Sequence, residues 1–293
     1  MPLLLGAAGW QSDWFDILQA NFMRHAFIGG TLVALASGAV GYFVVIRRDS
    51  FAAHALAHIG FPGATAAVLM GLPVTLGLFV FCTGGALAIG TLGKETAKRE
   101  VATGSILAVS TALGVLFNSL ATKSSSTVTN VLFGNLLAIS VDQLRLFSGF
   151  TAALLLAVAC IARPLLFASL DPEVAEARGI PVRALGIVFV VLLALVVTMA
   201  VQVVGTLLLF AMVVTPSAAA LAITARPSAA IALSTGISVA SVWGGLTLSA
   251  MFNLPPSFFI VGLAFTVWLV AVIATERRRK GTQGPTRSES SVT

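Results

Sequence analysis

His54 and His58 stand four residues apart in the segment Ala52-Ala53-His54-Ala55-Leu56-Ala57-His58. On a helix that spacing places both side chains on one face, one turn apart. Neutral imidazoles so placed can share a divalent first-row metal ion. A polar pair at membrane depth normally faces a bundle interior or a water-filled path, which makes the two histidines candidates for a transit site. Two ligands fall short of the four that a tight structural zinc site uses. Weak holding nevertheless suits conduction, because an ion must leave as readily as it enters. The residues by themselves equally allow each imidazole to bond a neighbouring carbonyl or hydroxyl in a purely structural role.

A second informative stretch runs from Asp171 to Pro181, Asp171-Pro172-Glu173-Val174-Ala175-Glu176-Ala177-Arg178-Gly179-Ile180-Pro181. It reads as a short helix bounded at both ends. Asp171 can cap free N–H groups, Pro172 suits the first turn, Glu173 favours the positive end, and Gly179 followed by Pro181 terminates it. About two turns of helix are marginal in water, so this one requires tertiary or partner contacts. Other chemistry is missing. The nearest approach to a phosphate loop, Gly90-Thr91-Leu92-Gly93-Lys94-Glu95, lacks the first glycine and has Glu95 where a Ser or Thr would hold magnesium. Neither a Gly-x-Ser-x-Gly nor a His-Glu-x-x-His arrangement occurs. Cys82 and Cys160 lie in separate apolar runs and read as packing residues. These absences argue against an enzyme and against ATP hydrolysis on this chain.

The elements that carry these residues follow from composition. Of 293 residues, 58% are hydrophobic and 10% charged, against roughly 25% charged in a soluble domain. At roughly 20 apolar residues per crossing, the chain has room for about nine membrane helices and no large extramembranous domain. Apolar runs predict spans at 26–46, 51–70, 74–92, 101–118 and 144–162. Two more come from the uncharged stretch Ala184 to Ala225, with Gln202 at the hairpin, and two from Pro227 to Thr275, divided by the prolines of Phe252-Asn253-Leu254-Pro255-Pro256-Ser257. Val131 to Ile139 is too short to cross and reads as an interfacial or re-entrant helix on the outer side. Stripes of small residues, Gly30-Ala34-Gly38 and Gly236-Ala240-Gly244, allow close helix packing. Lys and Arg accumulate in cytoplasmic connections, and one orientation puts 14 of the 17 basic residues on one side, leaving only Arg24, Lys123 and Arg145 opposite. The N-terminus is then outside and the C-terminus cytoplasmic. The net charge of +6 is explained by this topology and by anionic lipid, without nucleic acid. The expected divisions are an extracytoplasmic segment 1–25, which lacks the pattern of a signal peptide, a transmembrane domain 26–275, and a basic, disordered tail 276–293.

With these elements placed, the chain resembles the permease subunits of metal-ion ABC importers, which take up zinc, manganese or iron. Four segments carry the resemblance: Gly41-Tyr42-Phe43-Val44-Val45-Ile46-Arg47-Arg48, His54 through Gly60-Phe61-Pro62-Gly63, Leu132-Phe133-Gly134-Asn135-Leu136-Leu137, and the block from Asp171 to Ala219. Within the last, Ala175-Glu176-Ala177-Arg178-Gly179-Ile180-Pro181 is similar to the family's coupling helix, and Gln202-Val203-Val204-Gly205-Thr206-Leu207-Leu208 with Pro216-Ser217-Ala218-Ala219 continues the pattern. The resemblance implies an all-α, type II importer-like bundle in a prokaryotic (inner) cell membrane. It implies a homodimer flanking one path, two cytoplasmic ATPase subunits that carry the ATP, and an extracytoplasmic solute-binding protein that delivers the ion. Asp171, Glu173, Glu176, Arg178 and Gly179 become the expected ATPase-coupling residues, and Arg24, basic and before the first span, the expected docking residue for the binding protein. No cofactor is held permanently; the metal is cargo.

One departure bears on the cargo. The family's pore motif matches at His58, but four residues earlier the family commonly has aspartate where this chain has His54. Imidazole in place of a hard carboxylate favours zinc over manganese. It also removes a negative charge that would offset a dication. An acidic residue after the glycine of the outer segment is likewise replaced, here by Asn135, while Glu100 and Asp142 fall at membrane boundaries. Zinc is therefore the first expectation, and manganese or iron the second. An ion-gradient-driven carrier, which would require two related halves with broken helices, is a more distant third.

Overall fold

A backbone inside hydrocarbon must satisfy its own N–H and C=O groups, and long apolar runs do so as helices. The structure, a computed structural model, describes residues 14–92, 96–120, 124–206 and 208–282. Residues 1–13 of the expected N-terminal segment and 283–293 of the expected tail lie outside the described residues. In chain order the helices are α1 (Trp14–Gln19), α2 (Asn21–Ile46), α3 (Ser50–Leu69), α4 (Val74–Leu92), α5 (Thr96–Leu120), α6 (Ser124–Phe133), α7 (Val141–Leu170), α8 (Pro172–Ala177), α9 (Val182–Val204), α10 (Leu209–Val213), α11 (Thr215–Ile223), α12 (Pro227–Phe252) and α13 (Pro256–Thr282). A 3-10 turn, Leu136–Ala138, joins α6 to α7. Among the described residues, eight helices are long and apolar enough to cross a membrane, namely α2, α3, α4, α5, α7, α9, α12 and α13.

Eight of the expected nine spans are thus single helices, and the ninth is not. The second span drawn from Ala184 to Ala225 is not one helix: α9 stops at Val204, and the remainder forms the short helices α10 and α11. Gly205 has φ +84 and packs on the backbone of Leu132 to Gly134, where a Cβ would come within 2.6 Å of the Gly134 nitrogen. Instead of continuing the helical ladder, the Thr206 N–H bonds to the Val131 carbonyl at 2.9 Å, and the Asn135 N–H bonds to the Gln202 carbonyl at 3.0 Å. Pro216, lacking an N–H, sits in the first turn of α11, where that loss is harmless. The segment still passes from one end of the bundle to the other. Ser257 donates to the Phe133 carbonyl near the start of α13, and Thr275 donates to the Ala222 carbonyl about 18 residues further on, roughly 27 Å along the axis. The ninth passage therefore exists, but as a broken helix. Val131 to Ile139 is also broken, into the end of α6 and the 3-10 turn, at Gly134 with φ +74.

The centre of the bundle is α2, α3 and α9, whose apolar windows are 72%, 72% and 61% buried, whereas α5 and α13 present 17% and form the periphery. Glycine lets the central helices approach. Gly63 on α3 and Gly77 on α4 face each other so closely that a Cβ on either would lie 2.8 Å from the other's carbonyl carbon. Gly38 on α2 likewise meets the backbone of Thr235 on α12, and Gly30 meets Val242, so the first small-residue stripe packs as expected. The second stripe does so only in part: Gly244 meets Leu263, but Gly236 has nothing within 4 Å. Buried hydroxyls supplement this packing. Those of Ser217 and Ser234 lie 2.7 Å apart, and Ser234 donates to the Gly38 carbonyl at 3.0 Å.

Candidate metal-transit site and coupling helix

α3 starts from a tight turn. The Asp49 N–H bonds to the Val44 carbonyl at 2.9 Å and the Arg48 N–H to Val45 at 3.2 Å, closing α2 with Arg48 in the left-handed region at φ +58. One turn into α3, His54 and His58 lie with ring centroids 4.8 Å apart and planes at 71°. Both are half-buried, and Ala53, Ala55, Leu56 and Ala57 around them are fully buried. Phe210 on α10 faces His54 edge-on, with centroids 6.4 Å apart, so the broken passage supplies one wall of the histidine site. Pro62 sits one turn after His58 and has no N–H to give its carbonyl. No group of three His, Cys, Asp or Glu side chains able to hold a metal occurs among the described residues. The arrangement is thus two imidazoles per chain, bordered by an aromatic ring and small residues. It can lend two nitrogen ligands to a passing cation.

α8 has the boundaries its sequence predicts. The Asp171 carboxylate accepts from the Val174 N–H at 3.1 Å, and Pro172 begins the helix. At the far end the Ile180 N–H bonds to Ala175 at 3.0 Å and the Gly179 N–H to Glu176 at 2.9 Å, with Gly179 at φ +79. This is the double bond of a Schellman cap. Ala175 is fully buried, and the Arg178 guanidinium lies 5.4 Å from the Phe167 ring centroid on α7. Glu173, Val174 and Glu176 are exposed. The tertiary support expected for so short a helix is therefore one alanine and one cation–π contact, which leave its acidic face outward.

Arg24 is exposed in the first turn of α2. At the same end of the bundle the Gln202 side-chain oxygen accepts from Thr75 at 2.8 Å and from Gln143 at 3.1 Å, while its amide donates to the Thr198 carbonyl at 3.0 Å. Gln202, Gln143, Asn130 and Asn135 line a cavity of about 240 Å³. Gln202 stands two residues before the end of α9, beside the reversal at Gly205 as the sequence implies, and its side chain also joins α4, α7 and α9. Asp142 is 92% exposed and pairs with Arg145, as its boundary position implies. Sequence reasoning missed a second cluster. Arg47 Nε donates to Asp49 at 3.2 Å, Arg47 also donates to Ser169 at 3.3 Å, and its guanidinium lies 5.1 Å from the Phe189 ring centroid. The available signal was Asp49 itself, a carboxylate directly after two arginines in a chain with only 11 acidic residues.

Residues 19–275, which include the histidine pair, α8 and the broken passage, match the model of the ABC 3 transport family. The chain belongs to that family. Its relatives agree in length and extent. The permease is 32% identical over 258 residues to the "Manganese transport system membrane protein MntC" of Listeria innocua, covering 88% of this chain and 92% of that protein. It is 29% identical over 271 residues to the "Manganese import system permease protein ScaB" of Streptococcus parasanguinis, covering 92% and 96%. Among solved structures it is similar to PsaBC from Streptococcus pneumoniae in complex with Fab, with a TM-score of 0.82, 31% identity, and coverage of 93% of this chain and 99% of that one. The chain is thus a multi-pass membrane permease of the metal-ion ABC importer type. Both of these relatives are named for manganese.

Proposed function

We propose that this permease imports manganese, drawing energy from separate ATPase subunits and receiving the ion from an extracytoplasmic binding protein. The observation that carries the metal assignment is the near full-length similarity to permeases named for manganese transport. In this reading two copies flank one path, with the N-terminus outside and α8 cytoplasmic, and the acidic face of α8 meets the ATPase. Arg24, at the opposite end, meets the binding protein and tunes association rather than affinity. His54 and His58 hold the ion briefly. A two-fold pair of chains brings up to four imidazoles to the path, while oxygen ligands that manganese prefers come from water and from backbone carbonyls near Pro62. Without a carboxylate to offset the dication the site binds weakly, which favours release to the cytoplasm.

Zinc stays as a second reading because of one observation, the histidine at position 54 where the family commonly has aspartate. Uptake of radiolabelled manganese and zinc by proteoliposomes holding the permease, its ATPase and its binding protein separates the two. ATP-dependent manganese uptake that resists excess zinc supports the proposal. Zinc uptake unaffected by excess manganese replaces it with the second reading, and the absence of ATP-dependent uptake of either metal rejects both.

A further inference from the structure

We infer that Arg47 is a positioning residue that carries movement of α8 to the histidine-bearing helix α3; the inference rests on the importer reading above. Its guanidinium touches three separately anchored groups. Asp49, 3.2 Å from Nε, is the residue from which α3 starts, and the Ala53 N–H bonds to its carbonyl at 2.9 Å. Ser169, 3.3 Å away, is in the last turn of α7, two residues before the Asp171 that caps α8. Phe189, whose ring centroid is 5.1 Å from the guanidinium carbon, lies on α9, the helix that continues the chain beyond α8. Arg47 itself closes α2. One planar group therefore joins both helices that hold α8 to the start of the helix that carries His54 five residues further on.

The environment makes this link stiff. Arg47 and Asp49 are only 12% and 5% exposed, so water screens the pair little. Burying an ion pair seldom stabilises a fold more than apolar packing would, which points to a use other than stability. Lysine could keep the charge but not the geometry, because a flexible ammonium lacks the planar fork that holds a carboxylate and a hydroxyl while stacking on a ring. Rotation of α8 with the ends of α7 and α9 would thus drag the α2–α3 turn, and with it the histidine face, as a unit. Rigid-body motion of this type needs a short path of firm contacts, and Arg47 supplies one.

The test uses the assembled transporter with its ATPase in nanodiscs, trapped with ATP and vanadate, and follows amide-hydrogen exchange in residues 171–180 and 50–58. In the wild type both segments respond to trapping. In Arg47→Lys, 171–180 still responds while the response of 50–58 is lost; in Ser169→Ala, which leaves the Phe189 contact, the response of 50–58 is weakened. Ser169→Ala keeps the ion pair and so preserves the test if Arg47→Lys does not fold. A response of 50–58 that persists undiminished in the variants, or that is absent from the wild type, overturns the inference. The readout needs no transported metal, so a failure of the manganese assignment is recognised separately by the uptake assay. In that assay Arg47→Lys lowers the metal moved per ATP hydrolysed about tenfold, with hydrolysis within about twofold of wild type. Parallel loss of uptake and hydrolysis instead assigns Arg47 a purely structural role.

Discussion

Gln202 and Thr75 meet across the bundle: the threonine hydroxyl donates to the glutamine side-chain oxygen at 2.8 Å, tying the first turn of α4 to the last turn of α9. The same oxygen accepts from Gln143 in the first turn of α7, so three helices are fixed at one level beside the break that ends α9. This node sets the end from which the broken passage departs, and that passage brings Phe210 to His54.

Thr75→Val removes one of the two donors to Gln202 and is expected to lower stability by about 0.5–1.5 kcal/mol, near the range for interhelical hydrogen bonds in membranes. Gln202→Leu removes the shared acceptor and is expected to cost about 1–3 kcal/mol. A double-mutant cycle read by thermal unfolding in detergent should return a coupling of about 0.5–1.5 kcal/mol between the two positions. Strict additivity of the two substitutions would show that the bond contributes nothing.

Gly63→Val forces a side chain into the Gly77 backbone, where neither helix can yield without separating α3 from α4. The expected loss is about 3 kcal/mol or failure to accumulate as folded protein. Gly84→Ala on the same helix pair is the control, since a Cβ there meets nothing within 4 Å and alanine is the better helix former by about 1 kcal/mol. Size-exclusion thermostability profiles of the two variants decide the matter; equal behaviour contradicts the packing described.

Arg48 and Gly179 occupy the same left-handed position after a helix, at φ +58 and +79. Arg48→Gly relieves a residue with a Cβ from that conformation and should stabilise the protein by about 0.5–1 kcal/mol. Gly179→Ala should do the reverse by about 1 kcal/mol, and Gly179→Asn should restore most of it, because asparagine tolerates this region. Since a Cβ at Gly179 meets nothing within 4 Å, the cost is backbone strain alone. Melting temperatures that do not separate the alanine from the asparagine variant would remove this explanation.

Glu173→Lys with Glu176→Lys reverses the exposed acidic face of α8 and leaves Ala175 and the Asp171 cap in place. The variant should fold, losing no more than about 1 kcal/mol from the reversed charge in the first turn of α8, and bind its ATPase at least about fivefold more weakly, most clearly at low salt. Co-purification against salt concentration measures this. Unaltered assembly would mean that the ATPase engages another surface.

The sequence alone determined the elements that depend on nearest neighbours along the chain. Long apolar runs become helices because a backbone in hydrocarbon has no other donors or acceptors within reach. The start and stop of α8 were legible for the same reason, since Asp171 bonds three residues ahead and Gly179 closes on residues just behind it. So was the shared face of His54 and His58, fixed by helical pitch. What the tertiary structure decided lies in contacts between distant segments. Ala184 to Ile223 carries no charged residue, yet it breaks after Val204 because Gly205 meets Leu132 to Gly134, some 70 residues earlier in the chain. Arg47 reads as one more cytoplasmic charge until folding places Ser169 and Phe189 around it. Gly30 and Gly236 belong to equivalent stripes, but only the first is covered by a partner helix. Hydrogen bonding along a helix is local and can be read from spacing; which face is buried, and which charge is shared, depends on helices that meet only after the chain has folded.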